Sequence, residues 1–317
     1  MHAFFFTMIS FLYIIIGLVL LVFGGDWLLK AAVGISLKLN LSKVLIGMTV
    51  VSFCTSAPEL IVSLKSAIDG FPDIALGNVV GSNIANVGLI LGVVAIICPM
   101  QVHEKFIKKD WLQMLLASFI LYFILFTGYE ITRLEGIVTF GLLIVWIIYM
   151  LKTLKPDEPT EEIEEISNIY KILGFLIIGV LALYFGSDLL ITGAVDLAKT
   201  FGVSERIIGV TVVAVGTSIP ELAASVIAAL KKESAIAIGN VVGSNIFNIL
   251  GVLGLTSIIH PIKMDDLRLF SFDLIWMLAF AFILLPLVLL PKKGFIDRKA
   301  GLILVLAYGV FVFMTFS

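Results

Sequence analysis

The chain has 317 residues, of which 60% are apolar and 14% charged, with a mean hydropathy of +1.15. An ordinary soluble domain carries roughly 25% charged residues, and no soluble fold of this size has interior enough for so much apolar surface. A soluble enzyme, a disordered tail and a secreted disulfide scaffold are excluded, and with a net charge of −2 there is no basic footprint for nucleic acid.

Cys54 and Cys98 both lie in apolar stretches and form no CxxC pair, so they carry neither a disulfide nor a zinc argument. The N-terminal MHAFFFTMISF has no Lys or Arg before the first apolar run and no small-residue cleavage site. It reads as a retained first helix rather than a signal peptide.

A membrane helix needs about 20 mostly apolar residues. Ten stretches qualify: 9–29, 44–67, 74–98, 111–127, 135–151, 171–193, 206–230, 235–259, 272–290 and 299–316. Backbone polar groups must be satisfied internally in lipid, so each is expected to be helical. The sequence therefore predicts an all-α integral membrane protein of ten transmembrane helices. The polar segment 152–170 contains two prolines and six acids, Asp157, Glu158, Glu161, Glu162, Glu164 and Glu165. It divides the chain into five-helix units at 1–151 and 171–317 and reads as a solvated linker. Fifteen of the 21 Lys and Arg residues fall on one side of the ten-span arrangement and six on the other. The positive-inside rule puts the richer side, with the linker, in the cytoplasm and both termini outside.

Residues 44–92 align with 206–254 without a gap at an offset of 162, with 25 identities in 49 positions. Gly17, Gly24, Asp26 and Pro99 meet Gly179, Gly186, Asp188 and Pro261 in the same register. The chain is thus a duplicated unit. Five spans per unit is an odd number, so the second unit is expected to enter the membrane from the opposite side. Inverted repeats are the architecture of many secondary transporters, with the substrate site at the midplane between them.

Glu59 and Glu221 sit at matched positions inside apolar spans, within CTSAPEL and GTSIPEL. A carboxylate at mid-membrane is costly, and no Lys or Arg lies deep in any span to pair with it. The remaining partner is a mobile cation or a proton. Ser52, Thr55, Ser56 and Ser63 share the helix face of Glu59; Thr217, Ser218 and Ser225 share that of Glu221, with Ala214 in the place of Ser52. A polar stripe flanking a buried glutamate reads as a ligand shell. Pro58 and Pro220 lack the N–H that would reach the carbonyls of Cys54 and Gly216. A helix broken there frees carbonyl oxygens for a cation; a plain kink is the simpler alternative.

The third span of each unit carries Asn78, Ser82 and Asn86 in GNVVGSNIAN, and Asn240, Ser244 and Asn248 in GNVVGSNIFN. Ser82, Asn86, Ser244 and Asn248 read as ligands or their support. Asn78 and Asn240 could serve packing or the site equally. Gly77, Gly81, Gly239 and Gly243 are spaced for close helix approach. Oxygen donors with two carboxylates and no His or Cys select a hard cation such as calcium or sodium, and disfavour zinc and copper. Asp26 and Asp188 read as helix-end or interfacial residues, and His103 and His260 as loop-edge residues.

The paired GTSxPE and GNxxGSN motifs in two five-span units resemble the calcium/cation antiporter superfamily, and within it the prokaryotic sodium/calcium exchangers. The resemblance implies a central core of the motif-bearing helices, across which the long first and sixth helices slide. It implies that Glu59 and Glu221 coordinate the ions, with Thr55 and Thr217 through hydroxyl and carbonyl. Ser56, Ser218, Ser82 and Ser244 match the family's serine ligands, Ser52 and Ala214 its carbonyl positions, and Asn86 and Asn248 its central polar pair. Cys54 stands where glycine is usual, and Asn248 replaces an aspartate of some relatives, including potassium-dependent exchangers. The linker is too short for the regulatory domains of animal exchangers.

The expectation is a secondary antiporter exchanging Ca2+ for Na+ across the cell membrane, with these ions and the bilayer as partners and no cofactor or obligatory protein partner. Calcium/proton antiport is the alternative, since buried glutamates can carry protons. Inverted repeats argue against a channel, and no nucleophile–base pair supports an intramembrane enzyme.

Overall fold

A computed structural model describes residues 2–39, 41–102, 109–153, 168–200, 214–290 and 294–316. Helices make up nearly all of it. They are α1 (His2–Leu39), α2 (Lys43–Thr55), α3 (Ala57–Ile68), α4 (Pro72–Ile97), α5 (Trp111–Gly128), α6 (Arg133–Thr153), α7 (Ile169–Thr200), the short α8 (Ala214–Gly216), α9 (Ile219–Leu230), α10 (Ser234–Ile259), α11 (Leu269–Leu289) and α12 (Arg298–Phe316). Among the described residues, eight are long and apolar enough to cross a membrane, and the bent α2–α3 pair brings the number to nine when taken as one span. Of the predicted span 206–230, the part 206–213 lies outside the described residues, as do His103 and the six acids of the linker.

The helix boundaries correct the expected end of α1 and with it the place of Asp26. α1 runs to Leu39, well past 29, whereas the apolar span of α7 ends at Gly193 as expected and the helix itself continues to Thr200. Hydropathy falls after Lys30 and after Gly193, but the small and apolar residues beyond keep the helix going. Asp26 consequently lies well inside α1 and not at its end. It is ion-paired with Lys30 and Lys231.

α1 and α7 run antiparallel and touch backbone to backbone. A Cβ on Gly17 would lie 2.8 Å from the Gly186 carbonyl oxygen, one on Gly24 3.1 Å from that of Gly179, and one on Gly193 2.6 Å from that of Ser10. The seven-residue spacing of these glycines keeps them on one face of each helix, and the missing side chains let the helices approach closely. Phe11, Ile15, Val22, Ile178, Leu181 and Phe185 cover the outer faces and are exposed, as expected of a surface that meets lipid.

α4 and α10 form the centre. α10 is buried throughout its most apolar stretch and α4 through most of it, whereas α1, α6 and α12 bury little of theirs. Hydropathy alone does not separate these groups; the buried Ser and Asn residues of α4 and α10 do. The two halves of the chain interlock. α2 packs on α10, where a Cβ on Gly47 would lie 2.7 Å from the Ile236 carbonyl oxygen and one on Gly239 2.9 Å from that of Val44. α4 meets α12 at Gly92 and Gly301, and α10 meets α6 at Gly254 and Gly136. Among the described residues, a Cβ on Gly77 would meet only Leu269 at 3.8 Å and one on Gly81 nothing within 4 Å.

Two antiparallel strand pairs complete the interlock. β1 (Met100–Gln101) pairs with β4 (Phe295–Ile296), and β2 (Glu130–Ile131) with β3 (Ile262–Lys263). Each joins the first half to the second, and each lies at a loop where the chain turns between helices. The sequence offered no periodicity long enough to predict them.

Candidate ion-binding site

The helix path breaks at Ser56, where α2 and α3 diverge by 45°. Ser56 has φ −84° and ψ 7°, and its counterpart Ser218 has φ −90° and ψ 6°. Both depart from helical geometry. Pro58 and Pro220 then occupy the first turns of α3 and α9, where a missing N–H is harmless. This is a break and not a mere kink. It places Glu59 and Glu221 in the first turn of a new helix, at its electropositive end.

Both glutamates are fully buried. Each is held by the other half of the chain: the Ser56 hydroxyl donates to Glu221 Oε1 at 2.9 Å, and the Ser218 hydroxyl donates to Glu59 Oε1 at 3.2 Å. The second oxygen of each, Oε2, is buried without a hydrogen-bond partner. Leaving a buried acceptor unsatisfied costs about 1–3 kcal/mol, and more for a charged group. Among the described ion pairs, none involves Glu59 or Glu221.

Behind the carboxylates, two asparagines clamp the halves together in matched fashion. Asn78 Nδ2 donates to Ser63 Oγ at 2.9 Å and to the Glu59 carbonyl at 3.3 Å, while its Oδ1 accepts from Thr217. Asn240 Nδ2 donates to Ser225 Oγ at 3.0 Å and to the Glu221 carbonyl at 3.4 Å, while its Oδ1 accepts from Thr55. Ser63 and Ser225, read from sequence as part of a ligand shell, thus hold the clamping asparagines. The Ser52 hydroxyl donates to the carbonyls of Gly47 and Asn240. Ala214 begins α8 by its backbone.

α4 and α10 each widen into a π-helical turn beside these residues, at Asn86–Leu91 and Phe247–Leu253. Such turns free backbone groups and concentrate at functional sites. Asn86 Nδ2 donates to Asn245 Oδ1 at 2.9 Å; Asn248 Nδ2 donates to Ser82 Oγ at 3.0 Å and to Asn83 Oδ1 at 3.2 Å. Asn83 and Asn245 were not singled out from sequence, although they are identical at the repeat offset. They lie one residue off the i, i+4, i+8 face of Asn78, Ser82 and Asn86. Here they orient the two predicted amides, so that Asn86 Oδ1 and Asn248 Oδ1 remain buried with no partner, as does Ser244 Oγ.

Five of the six unsatisfied buried side-chain oxygens among the described residues therefore belong to predicted site residues; Thr256 Oγ1 is the sixth. Every one is an oxygen, and no cluster of three or more His, Cys, Asp or Glu occurs among the described residues. Such a donor set suits a hard cation. A cavity of about 500 Å³ with apolar walls lies between α2–α3, α6 and α10 and has Ser56 among its lining residues.

Comparison with known proteins gives one consistent answer. The family described as sodium/calcium exchanger protein matches residues 9–152 and 171–317. The putative antiporter CaxA of Alkalimonas amylolytica is 37% identical over 98% of this chain and 99% of its own length. The sodium/calcium exchanger MaX1 of Methanosarcina acetivorans is 32% identical over 97% and 99%. Among solved structures, the sodium-calcium exchanger NCX_Mj soaked with zero Na+ and Ca2+ superposes with a TM-score of 0.84 at 29% identity, covering 98% of this chain and 99% of that one.

Proposed function

The chain belongs to the sodium/calcium exchanger protein family of membrane antiporters, and from that premise we propose that it exchanges Ca2+ for Na+ by alternating access at a midplane site. The ions are cargo. Glu59 and Glu221 supply the charge, with oxygens from Thr55, Thr217, Ser56, Ser218, Ser82, Ser244, Asn86 and Asn248 and carbonyls at Ser52 and Ala214. Two inverted five-helix units, 1–151 and 171–317, joined by a cytoplasmic linker at 152–170 and with both termini outside the cell membrane, would give the carrier ten spans and two exchangeable orientations.

One observation carries this reading. Among the described residues, Glu59 Oε2 and Glu221 Oε2 are buried, unsatisfied and unmatched by Lys or Arg, and each carboxylate is anchored by a serine of the opposite half. A site of this kind has the composition of a hard-cation cage, and it joins both halves of the molecule. Cation binding there would satisfy the carboxylates and couple occupancy to the relative position of the halves.

Calcium uptake into proteoliposomes under an imposed sodium gradient, and separately under a proton gradient, tests the proposal. Uptake driven by internal sodium is expected. Uptake driven only by protons would make the protein a calcium/proton antiporter, and uptake indifferent to both counter-ions would remove antiport.

A further inference from the structure

The repeat register makes the charges at two ends of the molecule comparable, and they do not match. Lys231 and Glu233 sit in the turn between α9 and α10. The Lys231 ammonium donates to Asp26 Oδ1 on α1, and Lys30 Nζ lies 2.9 Å from Asp26 Oδ2. Lys43, at the head of α2, lies 2.8 Å from Glu233 Oε1, with side chains only 15% and 10% exposed. The turn is itself constrained, since Lys232 has φ 64° where its counterpart is Gly70. Two ion pairs therefore strap the α9–α10 turn to α1 and α2. α1 packs along α9 at the same place, with Gly25 against Ile227 and the Ala223 carbonyl.

At the offset of 162, Asp26 becomes Asp188, Lys231 becomes Asp69, Lys43 becomes Glu205 and Glu233 becomes Phe71. The first attractive pair is replaced by two carboxylates, and the second by a carboxylate and a phenyl ring. Asp69 and Asp188 are both exposed. Among the described residues, α7 makes no packing with α3 comparable to that of α1 with α9.

We propose that Asp26–Lys231 and Lys43–Glu233 form a charge latch at one membrane face that holds α1 closed over α9, and that the like charges of Asp69 and Asp188 deny the opposite face the same closure. In a carrier whose halves could exchange conformations symmetrically, this difference sets which way the ion-free site faces. The inference rests on the alternating-access reading, because only a carrier that moves between two such states has an orientation to bias. The latch closes the face bearing Lys231 and leaves the site presented to the other.

Amide hydrogen exchange of the full chain in lipid nanodiscs, without sodium or calcium, tests the latch without any flux measurement. Lys231→Ala or Asp26→Asn is expected to speed exchange over 219–236 and to slow it over 57–74, each by roughly three- to tenfold. Asp69→Lys, an exposed change that gives Asp188 a partner, should produce the same reciprocal pattern from the other end. Pairing Asp26→Lys with Lys231→Asp should restore the wild-type pattern. Faster exchange over 219–236 with no slowing over 57–74 would reveal a local brace and overturn the latch. Loss of sodium-driven calcium uptake in the separate flux assay would instead overturn the choice of ions, and leaves this exchange pattern to be judged on its own.

Discussion

Ser56 donates its hydroxyl to Glu221 at 2.9 Å across 165 residues of sequence. The bond ties the break of one half to the carboxylate of the other, and the Ser218–Glu59 bond repeats it in reverse. Each carboxylate is therefore bonded directly to the opposite half. That contact links the proposed ion site to the proposed transport cycle.

The clamping asparagines are expected to be required for assembly of the site. Asn240→Leu would leave Thr55, Ser225 and the Glu221 carbonyl without their bonds to this side chain. Loss of about 3 kcal/mol of stability is expected from unsatisfied buried groups, with Asn78→Leu similarly affected. Thermal unfolding of the purified variants measures it. A change of only a few tenths of a kcal/mol would show that the clamp is dispensable.

Gly243→Ala tests the close contact of α2 and α10. The added Cβ would lie 2.5 Å from the Met48 carbonyl oxygen and would collide with Ser52 Oγ. Neither helix can yield locally, so destabilisation of about 1–3 kcal/mol is expected. Gly141→Ala is the control, because a Cβ there meets nothing within 4 Å among the described residues. Equal melting temperatures for the two variants would contradict the packing account.

Much of this was legible in the sequence, for physical reasons that particular residues make clear. Glu59 and Glu221 stood out because a carboxylate in an apolar span needs a partner, and the duplication showed that both were deliberate. The Pro58 and Pro220 breaks followed from a missing N–H. What escaped were relationships between distant segments. Asp26 read as a helix-end residue because its partner Lys231 lies 205 positions away. Asn83 and Asn245 escaped because a single helical face was followed, while the structure joins two adjacent faces across α4 and α10. The full length of α1 escaped because hydropathy reports the lipid-crossing part of a helix and not its end.

Asn248 supplies an amide oxygen and no charge, with its Oδ1 left unsatisfied among the described residues. Potassium is therefore not expected to be an obligatory co-substrate. Calcium flux at fixed sodium should be unchanged when potassium is replaced by choline. A strict potassium requirement would contradict the reading of this residue.

Charge counting predicts a voltage dependence. With both glutamates ionised the empty site carries −2, and one calcium ion brings it to zero. Three sodium ions, the number the family resemblance implies, bring it to +1. Each unit charge crossing 100 mV is worth about 2.3 kcal/mol. Calcium entering a vesicle in exchange for three sodium ions leaving it exports net positive charge. Uptake should be faster with the vesicle interior positive, as measured by clamping the potential with a potassium ionophore. Equal rates at opposite potentials would indicate two-for-one exchange.

The central claim is that the two buried carboxylates hold the exchanged cations. Sodium-driven calcium uptake by proteoliposomes containing Glu59→Gln or Glu221→Gln tests it most directly. Gln keeps the shape and the oxygen that accepts from Ser218 or Ser56, and removes only the charge. Both variants are expected to remain folded, by size-exclusion profile and thermal unfolding, and to lose uptake entirely. Near-normal uptake by either folded variant would contradict the account.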